Sequence, residues 1–242
     1  MYYDNWAQAY DLVYGNYKED IEFYKNEAKK VKGKVLEVAC GTGRIYLELL
    51  KEGVDAYGID LSPQMLIRLK KKAKAFSLKP KVKKADMKNF KLKERFSLII
   101  IPFRAFLHNL TAEDQIKTLK NIRNHLSLGG KVMINFFMPD YKIMASNYNK
   151  KMKRIIKTKL GKLFLVEKSY FVDEPNQIIE YTNAITKNGK KIWSGKFKLA
   201  LIYKKEFELL LRLSGFKNWK VFGGFNYGTL KFSRQEMVWV IQ

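Results

Sequence analysis

Residues 35–44, Val-Leu-Glu-Val-Ala-Cys-Gly-Thr-Gly-Arg, constrain this chain more than any other segment. An apolar run ends in two glycines one residue apart and opens an amphipathic stretch at 44–51. That is the sequence form of a buried strand, a tight turn and a helix. Glycine lets the backbone approach a ligand closely, and a helix start aims its free amides at the same point. Asp60 ends the next apolar run, 17 residues beyond Gly43. A carboxylate so placed can accept hydrogen bonds from both hydroxyls of a ribose, and the spacing suits a nucleoside-containing ligand.

The alternation of strand and helix patterns extends through residue 137. Ile21, Tyr24, Ala28 and Val31 recur at helical spacing within 20–31. Ser62 is placed to cap a helix with Pro63 at its first position, and Met65, Leu66 and Leu69 give it an apolar face. Strands are predicted at 82–85, 96–101 and 131–137, with a helix over 111–126 capped by Thr111 and stopped by Gly129-Gly130. Strands alternating with helices imply a parallel sheet covered on both faces. After Pro139 the rhythm changes to period two at 155–160, 163–171, 177–185 and 192–203, separated by turn residues at 160–162, 173–176 and 188–189. These read as antiparallel hairpins, with Asn188-Gly189 the clearest turn. A helix at 205–213 and strands at 218–222 and 236–241 restore the mixed pattern.

Composition narrows the function classes. A chain of 242 residues with 47% hydrophobic and 29% charged residues can bury a substantial core. No apolar run approaches the ~20 residues needed to span a bilayer. The first residues form neither the basic nor the apolar region of a secretory signal, so no membrane association and a cytoplasmic location are expected. Cys40 is the single cysteine and His108 and His125 the two histidines, which leaves no disulfide and argues against a metal site. The net charge of +24 invites a nucleic-acid reading, but it divides as +10 over residues 1–140 and +14 over 141–242 and is mostly lysine. A solvated, lysine-rich surface is the favoured account of it, ahead of an RNA or other anionic partner.

The identity of the nucleoside turns on two residues. A dinucleotide fingerprint wants a third glycine where Tyr46 stands, and Glu37, four residues before Gly41, would repel a pyrophosphate but not a cation. From Glu37 through Gly43 the sequence resembles the first motif of the class I S-adenosylmethionine-dependent methyltransferases. The resemblance continues through 58–62, 85–87, 96–108 and 126–130. It implies an α/β fold: a Rossmann-like, mostly parallel seven-stranded sheet with helices on both faces and an antiparallel β insertion after the fifth strand. Residues 1–33 would form a helical lid or flank, 34–140 with 204–242 the cofactor-binding domain, and 141–203 the insertion on the acceptor side. A looser similarity links the insertion and the segment 203–225 to small-molecule and sugar N-methyltransferases.

The resemblance implies S-adenosyl-L-methionine as cofactor, held by Tyr10, Glu37, Ala39, Gly41, Gly43, Asp60, Leu61, Asp86, Met87 and Ile101. In this family a residue like Asp60 holds the ribose, Leu61 covers the adenine, and Asp86 with Met87 border its edge. Tyr10 and Tyr14 resemble the aromatic lid residues that face cofactor and acceptor, and aromatic faces favour a sulfonium. His108 stands where a histidine of sugar N-methyltransferases lies near the acceptor amine, which makes His108 and Tyr14 the catalytic candidates. Phe103 and Arg104 are candidate acceptor contacts, although Arg104 can equally pair on the surface. Cys40 reads as a packed residue. The expected reaction is methyl transfer to nitrogen or oxygen of a small-molecule acceptor. The alternatives are an RNA methyltransferase using the lysines at 70–93 and 150–162, a non-catalytic cofactor-binding module and a nicotinamide dehydrogenase. Residues 101–104 lack the Asn/Asp-Pro-Pro-Tyr/Phe motif of many base N-methyltransferases.

Overall fold

Strand β1 (Val35–Val38) is buried on both faces and sits where the sheet order reverses. The computed structural model describes residues 2–158, 161–233 and 235–242. β1 pairs in parallel with β2 (Ala56–Asp60) on one side and β4 (Phe96–Ile101) on the other. β3 (Lys81–Lys84) extends the sheet beyond β2, and β5 (Leu126–Phe137) extends it beyond β4, both parallel. β11 (Glu236–Ile241) runs antiparallel between β5 and β10 (Trp219–Gly223), completing the order β10-β11-β5-β4-β1-β2-β3. In such sheets the crevice for a ligand opens at the carboxyl ends of the strands flanking the reversal, here β1 and β4.

Period two along the central strands fills both faces. Leu36, Val38, Ile99 and Ile101 join one apolar core, and Val35, Leu98 and Ile100 join the other. The first core is closed by α5 (Ala112–Asn124) and α7 (Lys204–Leu213), the second by α2 (Ile21–Lys29), α3 (Tyr46–Lys51) and α4 (Pro63–Ala75). Ser62 caps α4, accepting the Met65 amide, and Thr111 caps α5, accepting the Asp114 amide. Edge strand β3 exposes Lys81, Lys83 and Lys84, which keeps its open edge from pairing with another chain.

The expected stop at Gly129-Gly130 is corrected. α5 ends at Asn124, Leu126 already pairs with Phe96, and the two glycines form a register shift inside β5. A side chain at Gly130 would meet the Phe96 carbonyl oxygen at 2.8 Å, so close strand approach rather than helix termination requires glycine there.

Beyond Asp140, which caps α6 (Tyr141–Asn147), lies a second sheet, fully antiparallel. It runs in order through β6 (Met152–Thr158), β7 (Gly161–Asp173), β8 (Ile178–Lys187) and β9 (Lys190–Ala200). Asn188 and Gly189 both take positive φ, 48° and 76°, as the expected two-residue turn demands. Of the turn expected at 160–162, Leu160 lies outside the described residues. α1 (Tyr2–Tyr14) lies between this sheet and α4: Trp6 packs with Met65, Leu165 and Ile185. Among the described residues, no helix is long and apolar enough to cross a membrane.

Candidate active site

The glycine turn after β1 holds three residues in left-handed backbone: Ala39 (φ 58°), Gly41 (φ 54°) and Gly43 (φ 84°). The two glycines serve different ends. A side chain on Gly43 would come within 2.9 Å of Leu47 and Leu69, so Gly43 lets the turn pack on the helices. A side chain on Gly41 would find nothing nearer than the Ala39 carbonyl oxygen at 4.0 Å, so Gly41 faces open space, the place for a ligand.

Asp60 fixes this turn. Its Oδ2 accepts the Gly41 amide and its Oδ1 the Ser62 amide, each at 2.8 Å, and each oxygen keeps a lone pair for a further donor. Burial raises its carboxyl above the ordinary value against the pull of these amides. Glu37 is 3% exposed, and its Oε2 has no hydrogen-bond partner. Burial holds its carboxyl well above the usual range, with Arg44 opposing. An unpartnered buried carboxylate oxygen calls for a donor from outside the chain. Leu61 is 42% exposed beside Asp60 and offers an apolar surface. Asp86 follows β3 and accepts the Lys88 amide at 2.9 Å. The Met87 sulfur accepts from Asn109 Nδ2 at 3.3 Å. Ile101 is fully buried in the core. Tyr46, in place of a third glycine, donates to the Ala56 carbonyl at 3.0 Å and accepts the Lys81 amide at 2.8 Å, tying β2 to β3. The Cys40 thiol is buried and pushed well up by that burial, which suits a packed residue.

At the end of β4, Phe103 (φ 54°) and Arg104 (φ 65°) are both left-handed, a costly backbone for side chains other than glycine. Asn135 stabilises it: its Oδ1 accepts the Phe103 amide at 2.9 Å and the Tyr24 hydroxyl at 2.7 Å, and its Nδ2 donates to Glu236 at 2.8 Å. Arg104 closes the same network, donating to Glu236 from Nε at 3.3 Å and from its terminal nitrogen at 3.0 Å. Arg44, bound to Asp20 at 2.7 Å, stacks on Phe103 at 4.8 Å.

α1 roofs the strand ends. Asp4 accepts the Ser62 hydroxyl at 2.6 Å, and Asp11 accepts the Thr42 hydroxyl at 2.6 Å and Lys72 Nζ at 2.9 Å. Tyr10 and Tyr14 lie edge-on to Phe103 at 6.4 and 5.0 Å. Burial raises both phenols, Tyr14 to about 12. His108 ends the turn Ala105–His108; its Nδ1–H donates to the Lys198 carbonyl at 3.2 Å, which leaves Nε2 to accept the Tyr3 hydroxyl. Burial lowers the imidazole to about 4, so it is neutral at pH 7.

The candidate residues thus fall into two neighbouring groups. Glu37, Ala39, Gly41, Gly43, Asp60, Leu61, Asp86 and Met87 lie at or follow the ends of β1 to β3, whereas Tyr10 and Tyr14 of α1 meet Phe103 beside Arg104, and His108 meets Tyr3 of the same helix. Tyr3, Asp4, Asp11 and the Asn135–Glu236 pair escaped the sequence reading. The seven-residue spacing of Asp4 and Asp11 on one helical face was the available signal.

Together the order reversal at β1, the glycine turn and the strand-end carboxylates define a Rossmann-like domain. Residues 35–130 match the family described as methyltransferase domain. The chain is 30% identical over 144 residues to a dTDP-3-amino-3,4,6-trideoxy-alpha-D-glucopyranose N,N-dimethyltransferase of Streptomyces venezuelae, covering 55% of this chain and 58% of that protein. It therefore spans less than two thirds of that curated relative. Its fold is similar to that of an S-adenosylmethionine-dependent methyltransferase from Clostridium acetobutylicum, with a TM-score of 0.81, 19% identity and coverage of 99% and 98%. The CcbJ methyltransferase from Streptomyces caelestis gives a TM-score of 0.82 at 20% identity, covering 100% and 97%. Residues 35–130 are thus similar to a methyltransferase domain, and the chain has the fold of S-adenosylmethionine-dependent methyltransferases. The residues present fit S-adenosylmethionine, the cofactor of those structural neighbours: the unpartnered Glu37 oxygen suits a cationic amino-acid group, and open space at Gly41 admits its backbone-like portion.

Proposed function

We propose that this chain transfers a methyl group from S-adenosylmethionine to the amine nitrogen of a small molecule. The observation that carries the reading is the Glu37 carboxylate, buried and unpartnered beside a glycine turn pinned by Asp60. When bound, the cofactor supplies an electrophilic methyl group on a sulfonium, and the acceptor nitrogen displaces the thioether in line. Glu37 would bind the ammonium of the methionyl part, and Asp60 would use its remaining lone pairs for the ribose hydroxyls. Leu61 would cover the adenine, with Asp86 and Met87 at its edge. Tyr10 and Tyr14, packed edge-on to Phe103, would with it exclude water, and a ring face turned to the sulfonium would favour its positive charge.

Little covalent machinery is needed, because alignment supplies most of the rate. One proton must leave the acceptor nitrogen, and His108, hydrogen-bonded to Tyr3 of α1, is the candidate neutral base. Its Nε2 already accepts the Tyr3 hydroxyl, so it would take the proton through Tyr3 or after α1 shifts. Nitrogen is favoured over oxygen as acceptor because a neutral amine needs no strong base, and an imidazole lowered to about 4 is a weak one. The relative from S. venezuelae is named for an aminosugar, which supports the same acceptor chemistry. The test is incubation with isotopically methyl-labelled cofactor and a dTDP-linked aminosugar, read by mass spectrometry. The expected product gains one or two methyl groups on nitrogen; transfer only to RNA or to hydroxyl oxygen would refute this reading.

A further inference from the structure

The inward face of the inserted sheet can be read from its register. Arg154 lies across from Leu165, Glu167 from Asn183, Asn183 from Gly195, and Ser169 from Tyr181. On this same face Leu165 and Ile185 pack against Trp6 of α1, while Ile179 and Leu199 enter the main core. The face therefore looks toward α1 and the strand ends. Between its two apolar ends runs a polar band of Glu167, Ser169, Tyr181 and Asn183, an arrangement that core packing does not explain.

Asn183 is the member with least structural reason to be there. It is 3% exposed, and its Oδ1 has no hydrogen-bond partner. Its neighbour across β9 is Gly195, which brings no side chain to it, and its neighbour across β7, Glu167, is turned to Arg154 at 3.2 Å. Tyr14 on α1 is raised first by burial and then by the Glu167 charge, and it senses Arg104 and Tyr181 as well. Tyr14 in turn lies edge-on to Phe103 at 5.0 Å and under Arg154 at 5.7 Å, so the inward face of the sheet meets α1 beside the Phe103–Arg104 turn. A buried amide oxygen left without a donor destabilises a fold, and such groups persist where a ligand satisfies them.

We propose that Asn183 selects the acceptor, accepting a hydrogen bond from a ring hydroxyl of a sugar-like amine. The inference rests on the methyltransferase reading above and adds the class of acceptor and the residue that discriminates it. A site built to pair a substrate hydroxyl rejects analogues that lack it far more strongly than an apolar pocket rejects an extra group.

The experiment compares wild type with Asn183→Leu, using two probes: dTDP-3-amino-3,4,6-trideoxy-α-D-glucopyranose, and phenethylamine, which carries no hydroxyl. Binding of S-adenosylhomocysteine and thermal stability are measured on the same samples. The expected result is that Asn183→Leu lowers kcat/KM for the sugar by about 30-fold or more and shifts preference toward phenethylamine. Its affinity for S-adenosylhomocysteine should stay within about twofold, and its Tm should rise by about 2–4 °C as the orphan oxygen disappears. Sugar turnover within about threefold of wild type, or a wild type that prefers phenethylamine, overturns the inference while leaving cofactor binding intact. A fall in Tm also overturns it, marking the amide as structural, and that readout needs no acceptor. Absence of S-adenosylhomocysteine binding in wild type instead removes the reading beneath it.

Discussion

Asn135 joins four groups that would otherwise be strained or unpaired: the Phe103 amide, the Tyr24 hydroxyl, Glu236 and, through its carbonyl, the Arg104 amide at 3.1 Å. Asn135→Ala leaves a buried hydroxyl and an amide without acceptors. An unfolding free energy lower by about 2–4 kcal/mol is expected in urea titrations. His108 makes a pH-dependent contribution whose sign follows from burial. Its folded value, about 4, lies below its ordinary value of 6.5, so the unfolded chain binds the extra proton. The stability from keeping His108 neutral is complete above about pH 7 and is lost as pH falls from 6.5 toward 4. Between pH 7 and pH 5 the loss should be about 1–2 kcal/mol, and His108→Asn should lack that component when both proteins are denatured at the two pH values.

At the scale of elements, polar contacts of Asp4 and Asp11 hold α1 over the start of α4 and the glycine turn. Asp4→Ala combined with Asp11→Ala should raise hydrogen exchange of the α1 amides by at least about tenfold, and bound S-adenosylhomocysteine should slow exchange in the wild-type helix. The roof was legible only as an aromatic helical stretch. Tyr10 and Tyr14 stood out by type, whereas Tyr3 gains meaning only once residues 105 positions away fold beside it. The strands were readable because period two and glycine turns are local signals, as at Val35–Val38 and Asn188-Gly189. Gly129-Gly130 misled because a helix stop and a strand irregularity use the same residue, and only the approach of Phe96 distinguishes them. Asn183 was invisible for a related reason: an asparagine in an alternating strand becomes informative only when register turns it inward and its oxygen proves unpartnered.

For the whole molecule, a net charge of +24 acts as self-repulsion as well as a solvating surface. Pairs such as Lys81 with Asp55 and Lys88 with Asp114 cancel locally and leave the excess to other lysines, among them Lys83 and Lys84, which guard the β3 edge. Raising NaCl from about 20 to 300 mM should therefore increase Tm in scanning calorimetry, and RNA binding seen at low salt should fall steeply over the same range. The central claim concerns the crevice at the reversal of the sheet, where Glu37, Gly41 and Asp60 meet. Its most direct measurement is isothermal titration of S-adenosylhomocysteine into the wild-type protein and Asp60→Ala. One-to-one binding is expected, weakened at least about 100-fold in the variant by loss of two charge-assisted hydrogen bonds. No heat from S-adenosylhomocysteine, or tighter binding of NADH to the same chain, would contradict it.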